Sequence, residues 1–373
     1  MNAESSNHPI RVLHVVTYMG RGGLETMIMN YYRHMDRSKV QFDFLVHRDF
    51  KADYDDEIIK LGGKIHRLPR LIPWSCEYRK SLNDFFKTHP EYKIVHVHQD
   101  CLSSIILKAA KKNNVPVRIA HSHNSNQDKN LKYLVKLYYK RKIKNFSTDL
   151  FACGKEAGDW MFSGEKYQVI HNAIDSNLYI CNIEQRKKVR IEWNIPEDVF
   201  LIGHVGRFNA VKNHSFLLDI FTALKKVKEE SMLVLVGDGE LREKMEKKAA
   251  ELGIADSVIF TGVRSDVADI MKAMDCFVFP SLYEGLPVTL IEAQAAGLPC
   301  VVSENVSNEC DKTGLVERVS LKESKDIWAK CILNQIGFNR QNTNEMIKKA
   351  GYDINVNAQQ LQNFYLDKWK KEV

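Results

Sequence analysis

A chain of 373 residues, 44% of them hydrophobic, carries enough apolar material for two globular domains. Its net charge of +7 is mild, which suits anionic ligands or an anionic surface, and with no RNP-like or zinc-finger pattern nucleic acid is set aside as a partner. The eight cysteines form no C-x-x-C pair, and several lie in apolar runs, which reads as buried free thiols in a reducing compartment; with no signal-peptide core and no apolar run near the roughly twenty residues of a membrane span, the expected location is cytoplasmic.

From the N-terminus, short β-branched runs alternate with longer helical patterns. Strands are predicted at 10–17, 41–46, 64–68, 94–97, 117–121, 149–152 and 168–170, with helices among them at 24–34, 55–61, 102–113 and 129–143. A second set of strands follows at 200–205, 232–236, 257–260, 276–279 and 299–303, with helices at 217–227 and 241–252. Alternation of this kind builds a parallel sheet covered by helices on both faces, and its recurrence predicts an α/β protein of two Rossmann-like, doubly wound domains. Their expected extents are 1–180 and 190–355, joined through the polar, charged stretch 176–197, with a helical tail of about 356–373 packing elsewhere through Leu361, Phe364, Tyr365 and Trp369.

The motifs fall just after predicted strands, where sheets of this type bind ligands. Most informative is Pro280-Ser-Leu-Tyr-Glu284-Gly-Leu-Pro-Val-Thr-Leu-Ile-Glu292-Ala-Gln-Ala-Ala-Gly297. A strand runs into a Gly/Pro-rich turn and then a helix, so one carboxylate sits in the loop, one in the helix, and free amides lie between them. Acids beside an anion site suit a ligand bearing both phosphates and hydroxyls, such as a nucleotide-sugar. The loop Gly206-Arg207-Phe-Asn-Ala-Val-Lys212-Asn213 places a bidentate and a mobile cation where they can converge on a diphosphate. The turn Gly20-Arg-Gly22-Gly23 lacks G-x-G-x-x-G spacing and a following acid, which argues against a nicotinamide cofactor.

Other patterns are weaker. His121-Ser-His123-Asn124 ends a strand and reads as polar donors; with no third ligand placed beside the pair, no metal is expected. His96-Val-His98 reads as packing or satisfying backbone groups, with the edge of a ligand cleft as the alternative. Asp53-Tyr-Asp55 has the D-x-D form that holds a cation on a diphosphate in some transferases, but it opens a helix, where acids suit the macrodipole. The run from Lys129 to Lys144 holds seven basic residues and no acid. Its lysine stripe (Lys129, Lys132, Lys136, Lys140) opposes an apolar one (Leu131, Leu134, Val135, Tyr138), which fits either a surface helix with its apolar side in the core or a helix resting on an anionic membrane.

Together these residues resemble the family 4 retaining glycosyltransferases of the GT-B fold, the glycosyl transferases group 1. The resemblance rests on the E-x7-E run from Glu284 to Glu292 with its flanks, supported by Gly22-Gly23, His123-Asn124, His171-Asn172-Ala-Ile-Asp175, Gly206-Arg207 with Lys212-Asn213, and Gly237-Asp-Gly239. The pieces occur in family order along nearly the whole chain, and are most similar to those of bacterial capsule and exopolysaccharide enzymes. The resemblance implies two domains facing a cleft, a nucleotide-sugar donor, UDP-linked, and a glycan or lipid-linked acceptor, with no metal or cofactor. It implies that Arg207 and Lys212 grip the donor diphosphate, that Gly22, Gly23, Val263, Gly285 and the amides of Val288, Thr289 and Leu290 add contacts, and that Glu292 accepts from the ribose. Glu284 would hold the transferred sugar and His123 would lie near its anomeric carbon, with His121 as the alternative and Asn124 and Asn172 nearby. A cytoplasmic enzyme is expected, peripheral on the inner face of the plasma membrane if the Lys129–Lys144 helix is the membrane-resting one. The segment 303–315 departs from the Gly-rich loop common in the family, which weakens any choice of sugar. A UDP-sugar 2-epimerase on the same fold, or a non-catalytic nucleotide-sugar binder, are the competing readings.

Overall fold

The computed structural model describes residues 8–124 and 133–373. They form two compact units: one runs to Ala173 and takes back Ile354–Val373, and the other is Ile174–Asp353.

The first unit is built on a parallel sheet of β1 (Ile10–Val15), β2 (Val40–Val46), β3 (Ile65–Arg67), β4 (Ile94–Val97), β5 (Val117–Ser122), β6 (Asp149–Ala152) and β7 (Gln168–Val169), in the order β3-β2-β1-β4-β5-β6-β7. Its central strands are apolar runs because both faces are covered; all seven residues of β2 are buried. Val12, Phe42, Phe44, Ile94 and Phe151 pack against the helices Gly23–His34 and Ile354–Glu372. Leu13, Val15, Leu45, Val95 and Val97 point the other way, toward the helices Cys76–Thr88 and Ser103–Lys112.

The second unit repeats the plan with β8 (Phe200–Val205), β9 (Ser231–Val236), β10 (Val258–Gly262), β11 (Cys276–Phe279), β12 (Cys300–Ser303) and β13 (Val316–Val319), in the order β10-β9-β8-β11-β12-β13. In each sheet the strand order reverses beside the first strand, between β1 and β4 and between β8 and β11. Chains leaving such neighbours diverge and open a crevice at the strands' carboxyl ends.

Three expectations need correction. The stretch 176–197 is not a linker: it holds a 3-10 turn, Ser176–Tyr179, and the helix Ile183–Glu192, whose cap Asn182 accepts from the amides of Glu184 and Gln185. Its charge is structural, because Arg190, 2% exposed, and Arg186 both hold Asp275, at 2.7 and 2.6 Å. The edge strand β13 has no counterpart among the predicted strands, since Val316-Glu-Arg-Val319 alternates too briefly to stand out. Of the cysteines, Cys101, Cys153, Cys276, Cys300 and Cys310 are buried as expected, while Cys76 and Cys181 are exposed. The basic helix is described only from Tyr133 to Lys140, the residues 125–132 lying outside the described ones, and it buries none of its residues; Leu134 is 75% and Tyr138 55% exposed. Its apolar stripe is therefore not in the core. Among the described residues no helix is long and apolar enough to cross a membrane.

Candidate functional site

In the second unit the loop after β8 is held by backbone contacts that leave no room for a side chain. Gly237 has φ +135°, and a Cβ there would stand 2.2 Å from the Gly206 carbonyl oxygen. The loop ends at Asn213, itself at φ 56°, whose side-chain amide donates to the Pro280 carbonyl at 3.1 Å. The Lys212 amide donates to Asn209 Oδ1 at 3.1 Å and Leu282 donates to the Val211 carbonyl at 2.8 Å, so the loops after β8 and β11 are tied together. That tie carries Lys212 Nζ to 2.7 Å from Glu284 Oε1 and 4.6 Å from the centre of the Phe279 ring. The two side chains remain 16% and 17% exposed, close enough to solvent for an arriving anion to compete for Lys212.

Glu284 is fixed through its backbone. Its amide donates to the Asn305 carbonyl at 3.3 Å, and its carbonyl accepts from the Ser307 amide at 3.0 Å. The segment that departs from the family pattern is thus the support of Glu284. The same segment is anchored by Gln294, 0% exposed, which donates to the Cys310 carbonyl at 2.7 Å and accepts from the Lys312 amide at 2.8 Å.

Four residues after Glu284 begins the helix Val288–Ala295, preceded by Pro287 and without a side-chain cap. Uncapped first-turn amides give this end partial positive charge. The Thr289 hydroxyl is buried there with no partner among the described residues. An unpaired buried hydroxyl costs about 1–3 kcal/mol, which a ligand oxygen would relieve. The Leu290 amide, expected to serve the donor, already donates to the Pro287 carbonyl at 3.0 Å, and its side chain is in the core. Tyr179, which sequence reasoning missed, donates its hydroxyl to Glu292 Oε1 at 2.8 Å. Burial pushes the Glu292 carboxyl above its usual range, and the hydrogen bond from Tyr179 offsets part of that rise.

Arg207 is not drawn into this group: it is 71% exposed and lies 3.4 Å from Glu240. An exposed pair of that kind is worth roughly 0–1 kcal/mol, so the guanidinium is free to turn to an anion. Val263, just beyond β10, is 59% exposed, and Gly285 gives its carbonyl to the Cys310 thiol at 3.2 Å.

In the first unit Gly22 is the uncapped N-cap of the helix Gly23–His34, and a Cβ on Gly23 would meet nothing within 4 Å. Packing thus does not demand that glycine. Asp55 is 3% exposed, pairs with Arg67 at 2.5 Å and accepts from the Ala52 amide, so the D-x-D is structural. Asn124 donates to Asp100 at 2.8 Å, and the side-chain oxygen of Asn172 is buried without a partner among the described residues.

The histidine pairs were expected to act separately; they do not. Imidazoles two residues apart share a face of a strand, and the register of β1, β4 and β5 brings His14, His96, His98, His121 and His123 together. His14 Nδ1 is 3.0 Å from His98 Nε2, and His98 Nδ1 is 2.9 Å from His123 Nε2. His96 Nε2 is 3.1 Å from His121 Nδ1, and its Nδ1 is 2.7 Å from the Tyr365 hydroxyl on the terminal helix. The pair His96 and His98 therefore bonds to side chains rather than to backbone, and a third imidazole stands beside the His121–His123 pair. Burial lowers all five, His14 and His123 to about 3, so they are neutral near pH 7.

Two family models match the chain, one described as glycosyltransferase family 4 over residues 21–178 and one described as glycosyl transferases group 1 over 185–313. EpsF of Bacillus subtilis (strain 168), named a glycosyltransferase, is 38% identical over 95% of this chain and 96% of its own length. The capsular polysaccharide biosynthesis glycosyltransferase CapH of Staphylococcus aureus is 27% identical over 96% of this chain and 99% of its own. Among solved structures, HepE of Anabaena in complex with UDP superimposes with a TM-score of 0.78 at 18% identity, covering 96% of this chain and 100% of its own, which bears on the fold. The similarity to EpsF spans both units, and so do the two family models taken together: the chain belongs to the family 4 glycosyltransferases, enzymes of the two-domain GT-B fold.

Proposed function

We propose that this glycosyltransferase transfers a sugar from a nucleotide-sugar donor, UDP-linked, to a glycan or lipid-linked acceptor in bacterial polysaccharide assembly, with retention at the anomeric carbon. The observation that carries the donor reading is the Lys212–Glu284 pair, 2.7 Å apart, beside the uncapped helix that begins at Val288. Departure of a nucleoside diphosphate builds negative charge on the phosphate oxygens. Lys212, Arg207 and the first-turn amides would meet that charge without a metal, and the Thr289 hydroxyl would find its missing partner. Glu284, released by Lys212, would accept from hydroxyls of the transferred sugar, while Glu292, oriented by Tyr179, would take the ribose hydroxyls. The departing phosphate would deprotonate the acceptor on the same face, so no protein base is assigned.

The relatives' names support the substrate classes. CapH is named for capsular polysaccharide, HepE was solved with UDP-glucose, and an Escherichia coli relative, 30% identical over 62% of this chain, is named a galactosyltransferase from UDP-Gal to a GlcNAc-diphosphoundecaprenol. The exposed Leu134 and Tyr138 beside Lys136 and Lys140 favour a resting place on the anionic inner face of a membrane over a core-facing helix. A neighbouring cavity of about 340 Å³, lined by Arg79, Lys108, Lys112, Lys142 and Tyr138, suits an anionic headgroup. A thermal-shift screen of nucleotide-sugars followed by transfer to lipid-linked acceptors tests the reading. The active donor should stabilise the protein, and Lys212→Ala with Glu284→Ala should abolish transfer; transfer unchanged in both variants would overturn the site.

A further inference from the structure

We propose that His98, His121 and His123 form a three-imidazole site for a divalent ion of the zinc class, with His14, His96 and Tyr365 as the groups that orient its ligands. Ring nitrogens of the three residues lie within 4.8 Å of one another, and the ring centres of His121 and His123 are 4.1 Å apart. The inference does not depend on the Lys212–Glu284 pair that carries the donor reading, which belongs to the other unit.

The hydrogen bonds already present match what such a site needs. A metal-bound histidine usually donates its other N–H to an oriented acceptor. With His98 ligating through Nδ1, its Nε2–H points at His14 Nδ1, 3.0 Å away. With His121 ligating through Nε2, its Nδ1–H points at His96 Nε2 at 3.1 Å, and His96 Nδ1–H in turn meets the Tyr365 hydroxyl at 2.7 Å. His121 Nε2 is buried without a partner among the described residues, as a free ligand atom would be. His123 ligates through Nε2, which now faces His98 Nδ1 at 2.9 Å. Tetrahedral Zn–N bonds of about 2.0–2.1 Å place two ligand atoms about 3.3 Å apart, so this pair need open by only about 0.4 Å.

Three nitrogens and no carboxylate select Zn²⁺, Co²⁺ or Ni²⁺ over Mg²⁺ or Mn²⁺. The fourth position falls to water. His123 Nδ1–H is then left as a donor fixed in direction.

The test uses the full chain without a polyhistidine tag, stripped with chelator and titrated with Co²⁺, then Zn²⁺. Expected are one equivalent of bound Co²⁺ with the visible bands of four-coordinate cobalt, their loss on adding Zn²⁺, and a raised unfolding temperature. His121→Phe should weaken binding by about 100-fold or more, Tyr365→Phe by about 10–100-fold, and His34→Gln not at all. No uptake by the wild-type chain, or uptake undiminished in a folded His121→Phe, overturns the site.

Discussion

Two buried histidines outside the cluster make acid stability calculable. His47, 2% exposed, sits between the Val16 carbonyl, to which Nδ1 donates at 2.8 Å, and the Tyr78 hydroxyl, also at 2.8 Å. His214, also 2% exposed, stacks on Phe208 with ring centres 4.0 Å apart and neither ring nitrogen partnered among the described residues. Burial lowers each from 6.5 to about 4. A base with a depressed folded pKa stabilises the fold above its unfolded pKa and loses that contribution as pH falls toward the folded one. Between pH 7.5 and 5.5 the unfolded rings take up protons that the folded rings refuse, which removes about 1.3 kcal/mol per histidine. Together the two give about 2.7 kcal/mol, a large part of a margin of about 5–15 kcal/mol. Urea unfolding followed by circular dichroism in the presence of chelator should show at least this loss, to which the clustered histidines add. His214→Phe should shrink it by about 1.3 kcal/mol. Parallel pH profiles for the wild type and the variant would refute the assignment of a neutral, buried His214.

Other outcomes follow from the site. Lys212→Ala and Glu284→Ala should each lower kcat/KM by about 100- to 1,000-fold, measured as sugar transfer, with little change in unfolding temperature. Arg207→Ala should raise the KM for donor while stability moves by less than about 0.5 kcal/mol, because Arg207 is 71% exposed. Gly237→Ala should destabilise by more than about 1 kcal/mol in a urea titration, since its φ of +135° and the Gly206 carbonyl at 2.2 Å both oppose a Cβ. Reversing Lys136, Lys140 and Lys142 to Glu should weaken co-sedimentation with anionic vesicles by 100-fold or more, at about 1 kcal/mol per lost charge, and salt should weaken the wild type likewise.

Strand after strand was legible because a buried parallel sheet writes itself as uninterrupted apolar runs, and the Glu284–Glu292 spacing stands within one such strand–turn–helix. What stayed hidden depends on partners distant in the chain. Arg190 reads as part of a charged connector until Asp275 appears beside it. Tyr179 has no spacing that ties it to Glu292, 113 residues on. The two H-x-H pairs each announce one strand face, yet only strand order and register place β4 next to both β1 and β5, so four of the five imidazoles looked like two unrelated pairs and His14 did not stand out. The exposed stripe of Leu134 and Tyr138 was predicted as a stripe, but amphipathic periodicity does not say what covers it.

The return of the terminal helix to the first unit also sets an order of events during synthesis. Ile354, Ala358, Leu361 and Tyr365 complete the core beneath Phe42 and Phe44, yet they leave the ribosome about 180 residues after β7, once all of Ile174–Asp353 has emerged. At about 5–20 residues per second that interval lasts roughly 10–40 s, during which one apolar face of the first sheet, and the histidines on it, lack their cover. A nascent chain in that window is a natural client for chaperones. Residues made only after the whole second unit act as the latch on the first domain to form.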